Sequence, residues 1–245
     1  MLGRLTKDVP HTFWSSDAFA VQAGSSDALW FIRTRATVSD LRGAMTSKEV
    51  LAYIAHSDSD VIVQELITSR ISGVTFVGAT GSLSEAVPGR CDGILRGGAR
   101  GARWAAADSG VVQWLSGSAM PHGDVDAIST LQARRLDELD QDMTGNMLEW
   151  IIKDDGGIVW VDLKTLSLEY LSCFGPNRPQ CYEIGPGGGT SYDGRIVLPD
   201  TRLDYTGLLD NAEGKGLLCR SGSPLAHLCV SAYEAGVSVL LPETA

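Results

Sequence analysis

Residues 60–97 constrain the fold more than any other stretch. Val61-Ile62-Val63 reads as a strand that ends in the polar pair Gln64-Glu65, and after Gly73 a second apolar run, Val74-Thr75-Phe76-Val77, reads as another. Two neighbouring strands with a polar hinge between them make a wall for a flat heterocycle. Beyond a small-residue turn, the run from Glu85 to Gly97 sets two carboxylates, Glu85 and Asp92, among glycines that let a ligand approach the backbone closely.

Composition narrows the function classes. A chain of 245 residues with 44% apolar content can bury a core as one large domain or two small ones. A formal charge of -10 argues against a nucleic-acid or anionic-membrane surface, so any phosphate ligand needs cations collected locally or a bound metal. The five cysteines form no C-x-x-C pair and read as reduced thiols. No apolar leader or membrane-length run occurs, which makes the cytoplasm the expected location.

Along the chain, residues 1–28 carry few periodic signals. Ala28 to Ile32 form an apolar strand that delivers Arg33 and Arg35 into a polar turn, where a guanidinium suits either a phosphate or a surface ion pair. Lys48 to Ser57 reads as a short helix with Val50, Leu51, Ile54 and Ala55 on one face. Short strands are expected between Arg96 and His122, and an amphipathic helix from Asp124 to Met143 that stops near Gly145.

The segment Asn146 to Lys164 is strand, Asp-Asp-Gly-Gly turn, strand. Alternation sets Glu149 on one face of the first strand, and Asp162 and Lys164 on one face of the second. Carboxylates that converge are costly unless a cation sits between them, so a magnesium site is the physical reading. Residues 172–193, rich in Pro and Gly, read as a linker, and Gly185 to Gly189 lacks the Gly-Lys-Ser/Thr of a phosphate loop. After it come a strand, a Gly-Ser-Pro turn, a helix with His227 in its first turn, and a last strand beyond Gly236. Such a histidine is either a packed or capping side chain, or a nucleophile on a helix whose terminal amides favour phosphate.

Taken together these runs resemble the phosphoenolpyruvate synthase and pyruvate phosphate dikinase family. Its nucleotide-binding half carries V-x-V-Q-E, then S-G-V-x-F, then E-A-x-x-G-L-G-E-x-L-V-S-G; here Asp92 stands for the second glutamate. Ile32 to Asp40 is similar to V-R-S-S-A-T-x-E-D, which implies that Arg33 contacts ATP phosphates. Leu41 to Ser47 falls where the family has a phosphate-covering loop, G-A-S-F-A-G-Q, without its second glycine and glutamine. The hairpin is similar to D-I-E-W…L-Q-A-R-P, with Asp162 for Gln and Lys164 for Arg, and Gly222 to Gly236 follows G-G-x-x-S-H-A-A-I-V-A-R-E-x-G.

The resemblance implies a partial ATP-grasp domain over 1–171, the linker over 172–193 and a truncated, swivelling phosphohistidine domain over 194–245, an α+β or α/β architecture. It further implies ATP and Mg2+ as cofactors, Gln64, Glu65 and Leu66 on adenine, Arg33, Asp92 and Lys164 on the nucleotide, Glu149 and Asp162 on the metal, and His227 as phosphoryl carrier. With only 32 residues before Arg33 and no acceptor domain, the chain is expected to be a reduced relative, completed by a partner chain that supplies the missing lysine subdomain. Two functions follow, with an ATP-grasp ligase as a weaker third reading because nothing in it would need His227. One is an ATP-dependent phosphotransferase passing phosphate from His227 to a small-molecule or protein acceptor; the other is a pseudoenzyme subunit acting as a scaffold.

Overall fold

A computed structural model describes residues 12–13, 27–34, 42–57, 61–90, 92–95, 101–107, 112–116, 122–137, 143–170, 181–185, 194–199, 201, 207–212 and 214–242. The chain forms two compact units, residues 1–68 and 69–245.

The first unit is a four-stranded antiparallel sheet with one helix. Its elements are β1 (Thr12–Phe13), β2 (Trp30–Thr34), β3 (Arg42–Met45), α1 (Ser47–Ala55) and β4 (Val61–Glu65), and its strand order is β1-β4-β2-β3. Trp30 and Ile32 on β2 alternate inward with Val61 and Val63 on β4, and Val50 of α1 closes the cluster. The helix starts where its sequence can cap it: Thr46 Oγ1 accepts the Glu49 amide, and the Glu49 carboxylate accepts the Thr46 amide at 2.7 Å. The bonds this carboxylate accepts, first from the Thr46 amide and then from the Thr46 hydroxyl, hold the Glu49 carboxyl below its ordinary pKa. Tyr53 joins the packed face in place of the expected Ala55, which is exposed. Residues 42–45, expected as a loop over phosphates, are instead a strand, with Ala44 in the left-handed region at φ 59°.

The second unit opens with β5 (Ile71–Val77), β6 (Gly81–Pro88), α2 (Asp92–Leu95), β7 (Ala102–Ala107), β8 (Val112–Ser116), α3 (His122–Asp137), β9 (Asn146–Ile152) and β10 (Ile158–Thr165). The strands form one antiparallel sheet, ordered β10-β9-β5-β6-β7-β8. This corrects one expectation: β4 and β5, read as neighbouring strands, belong to different sheets. The expected helix is present over His122–Asp137, the rest of its expected span up to residue 142 lying outside the described residues, and the hairpin and the two strands before α3 form as read. On one face Thr75, Ser84, Trp150 and Gln132 of α3 satisfy one another: Trp150 Nε1 and Gln132 Nε2 donate to Thr75 Oγ1 at 3.0 and 3.1 Å.

The chain continues through a 3₁₀ turn (Leu168–Tyr170), β11 (Cys181–Ile184), β12 (Ile196–Leu198), α4 (Leu208–Ala212), β13 (Leu217–Cys219), α5 (His227–Glu234) and β14 (Val239–Pro242). The sheet order is β11-β14-β13-β12, parallel except for β11. Two corrections follow. Residues 181–184, assigned to the linker, are a strand hydrogen-bonded to β14; and the chain divides at 68/69, not across 172–193.

The C-terminal layer also shares its core with the six-stranded sheet. Val74, Phe76, Leu83 and Met147 belong to the same buried cluster as Tyr182, Ile184, Leu217, Leu228 and Val239. Re-exposing those four sheet side chains alone would cost roughly 6–12 kcal/mol at about 1.5–3 kcal/mol each. That is comparable to the whole stability of an ordinary domain, about 5–15 kcal/mol, so the layer is docked rather than loosely tethered. Among the described residues no helix is long and apolar enough to cross a membrane.

Candidate functional site

The hairpin supplies the first half of the site. A register shift between Trp160 and Asp162 brings Asp162 directly opposite Glu149, and Glu149 lies opposite Val74 on the other side. Directly opposed residues of an antiparallel sheet share a face, with Cβ atoms about 4.5–5.5 Å apart. The two half-buried carboxylates are therefore neighbours on one face, an arrangement that depends on the bulge, since unbroken alternation would set Val161 opposite Glu149. Asp162 Oδ1 also accepts the Leu163 amide at 2.9 Å.

The row continues across the sheet. Val74 opposes Glu85, and Glu85 opposes Arg103. Asp162, Glu149, Val74, Glu85 and Arg103 thus form one transverse line on the face where the C-terminal layer docks. Glu85 is fully buried; its Oε1 accepts the Gly101 amide at 2.9 Å, and its Oε2 takes Arg103 Nε and Nη2, each at 3.1 Å. Glu85 is thus a structural ion-pair partner and not a ligand-facing carboxylate. Arg103 Nη2 also donates to the Gly222 carbonyl at 3.0 Å, and its guanidinium lies 5.2 Å from the Tyr182 ring centroid.

Gly222 opens the loop into α5. Tyr170 Oη donates to the Pro224 carbonyl at 2.8 Å, and the Ser223 amide to Thr201 Oγ1 at 3.4 Å. His227 follows as the first residue of α5, exposed, after Ala226, which gives no side-chain cap. At the other end of the helix, Glu234 holds Lys164 Nζ at 2.9 Å and Tyr233 touches Ser167. His227 therefore stands seven residues, about 10 Å, along α5 from the residue that binds Lys164. The Lys164 position expected on phosphate is occupied by a carboxylate instead, although a pair this exposed is worth only about 0–1 kcal/mol and yields readily to a competing anion.

The remaining predicted residues divide between the units. Gln64 and Glu65 end β4 opposite Phe31 and Trp30, and Gln64 is buried in that sheet. The Leu66 amide donates to the Leu29 carbonyl at 2.8 Å, so an adenine contact there would use the Leu66 carbonyl or side chain. Arg33 lies on β2 opposite Ile62, and Asp92 is the first residue of α2; both side chains lie outside the described residues, as does Arg35.

Sequence reasoning missed Arg103. The available signal was a lone arginine in the strand Ala102-Arg-Trp-Ala-Ala-Ala, where a charge between apolar neighbours demands a buried partner. It also missed the environment of Cys229, a free buried thiol that burial first, and then the Cys219 thiol, push well above its ordinary pKa.

No family model and no curated protein sequence matches the chain. Among solved structures it is similar to L-amino acid ligase from Bacillus licheniformis, at 12% identity over 67% of this chain and 38% of that one, with a TM-score of 0.39. It is similar to the ATP-grasp ligase PsnB, solved with minimal precursor, Mg and ADP, at 15% identity over 66% of this chain and 48% of that one, TM-score 0.37. For D-cycloserine synthetase DcsG the figures are 14%, 68%, 61% and 0.34. The chain thus spans less than two thirds of each, and at these scores and identities the likeness assigns neither family nor chemistry.

Proposed function

We propose that the chain is an ATP-dependent phosphotransferase of the ATP-grasp kind, which binds its nucleotide with Mg2+ at Glu149 and Asp162 and takes a phosphoryl group onto His227. The observation that carries this reading is the transverse row. One face of one sheet holds a cross-strand carboxylate pair at one end and, at the other, the arginine that grips the loop leading into the exposed histidine.

The donor set fits magnesium. Two opposed carboxylates repel one another and offer only hard oxygen ligands, and Mg2+ is ordinarily held by one or two carboxylates, with water and substrate phosphates completing its shell. When bound, the ion would neutralise the phosphates that a chain of net charge -10 otherwise repels.

On the resemblance alone, Gln64, Glu65 and Leu66 contact adenine, and Arg33, Asp92 and Lys164 contact the rest of the nucleotide. In the transfer, an imidazole nitrogen of His227 forms the P–N bond as the P–O bond to the departing nucleotide oxygen breaks. The phosphate then passes to a small-molecule or protein acceptor.

Intact-protein mass after incubation with Mg-ATP tests the reading. The parent should gain one acid-labile phosphoryl group, and a His227→Ala variant, or the parent in excess EDTA, should gain none. Absence of any gain in the parent overturns the carrier role. Metal-independent nucleotide binding would remove Glu149 and Asp162 from it.

A further inference from the structure

We propose that Arg103 is a positioning residue that locks the loop leading into His227 onto the six-stranded sheet, so that the C-terminal layer operates docked and does not swing between stations. The inference rests on the reading of His227 as phosphoryl acceptor, and it deepens that reading by fixing where the histidine stands when it reacts.

Three contacts hold the loop by its backbone, each from a buried or largely buried group. Arg103, 6% exposed, reaches the Gly222 carbonyl with the nitrogen it also gives to Glu85. Tyr170, fully buried, reaches the Pro224 carbonyl two residues later, while its ring lies edge-on to Tyr233 at 5.3 Å and 5.4 Å from Phe76 of the sheet. Thr201 meets the buried Ser223 between them. Backbone carbonyls gripped at two points two residues apart fix a loop's direction as well as its position, and α5 continues straight from it.

The guanidinium is the part of this grip that no other residue can replace. Glu85 holds it in orientation through two nitrogens, and the Tyr182 ring supports it from the docked layer. A lysine would keep the charge beside Glu85 but could not span both partners with a planar fork. Tyr182 lies on β11, in the stretch whose composition suggests a linker, so the segment expected to permit the swing helps to prevent it.

Cys229, 0% exposed with its Sγ 3.5 Å from the Ser223 carbonyl, reports on the lock. The experiment is the alkylation rate of Cys229 in the full-length chain, read by peptide mass spectrometry with and without saturating Mg-ATP. Three proteins are compared: the parent, Arg103→Lys, and the double variant Glu85→Gln/Arg103→Met, which leaves no unpaired charge in the core. Hydrogen exchange of β5 and β9 is followed in parallel. In the parent, labelling should be slow and unchanged by Mg-ATP. In both variants it should rise at least about tenfold while β5 and β9 exchange as in the parent, because one charged hydrogen bond to the loop has been lost and the sheet has not.

Faster labelling of the parent on adding Mg-ATP would overturn the lock, since the layer would then be released during turnover. No change in either variant, or a uniform rise that includes β5 and β9, would overturn the role of Arg103. None of these readouts requires that His227 be phosphorylated, so failure of the carrier reading is separately visible in the mass experiment.

Discussion

Replacing Glu85 with alanine is expected to destabilise residues 69–245 by about 3–5 kcal/mol, the cost of leaving one member of a buried ion pair without its partner. The carboxylate is fully buried and spends both oxygens: one on the Gly101 amide, the other on two nitrogens of Arg103. Truncation takes from the guanidinium the carboxylate that two of its nitrogens share, in surroundings where weakening the compensation of a charge is far more expensive than in water. At about 2–4 °C per kcal/mol for a unit of this size, the melting temperature should fall by roughly 6–20 °C. The double variant Glu85→Gln/Arg103→Met is expected to lose much less, because removing both charges of a buried pair is often close to neutral. Thermal or urea unfolding of the two proteins decides the matter. If the single variant lost under about 1 kcal/mol, water would have to reach the pair, and the buried lock would be wrong.

That pair also shows where a sequence stops being legible. The hairpin could be read because its information is local: two strand patterns around Asp154, Asp155, Gly156 and Gly157, with Asp155 accepting from Lys153 and from the Gly157 amide inside the turn. Alternation gave the faces of Glu149 and Asp162 within each strand, but the bulge that sets the two opposite each other was not legible. Helix α1 could be read for the same reason, since Thr46 and Glu49 cap it within four residues.

Glu85 was misread because what decides its role lies elsewhere in the chain. Beside glycines and prolines it resembles a ligand-facing carboxylate; only the pairing of β6 with β7 shows that an arginine eighteen residues on neutralises it and that both are buried. Lys164 likewise has a partner that local sequence does not show, on a helix seventy residues later. The docked layer is the largest case. Proline and glycine runs record local chain freedom, whereas docking is set by Tyr182, Ile184 and Leu228 meeting Val74 and Phe76, contacts between side chains a hundred residues apart. Local composition marked a hinge, and long-range burial overrode it.

The same reasoning predicts that Gly73→Ala, a change of one methyl group, costs about 3 kcal/mol and disturbs the carboxylate pair. Gly73 has an ordinary backbone conformation, so strain at φ plays no part; space does. A Cβ there would fall on the Glu85 carbonyl and on the indole ring of Trp150. Neither can withdraw cheaply. The carbonyl belongs to the β5–β6 ladder, and the indole is fully buried, pinned by its hydrogen bond to Thr75 and packed against Trp104 at a centroid distance of 6.4 Å. Overpacking of this kind costs typically about 1–3 kcal/mol and more when backbone must move. Because Trp150 directly follows Glu149 on β9, the strain should also loosen the Mg-dependent nucleotide binding proposed for Glu149, in the protein that still folds. A double-mutant cycle with Trp150→Leu separates the causes: shrinking the ring removes half of the clash, so the two changes together should cost about 1–2 kcal/mol less than their sum. Strict additivity would mean that the Glu85 carbonyl alone bears the collision and that the indole does not transmit it to Glu149.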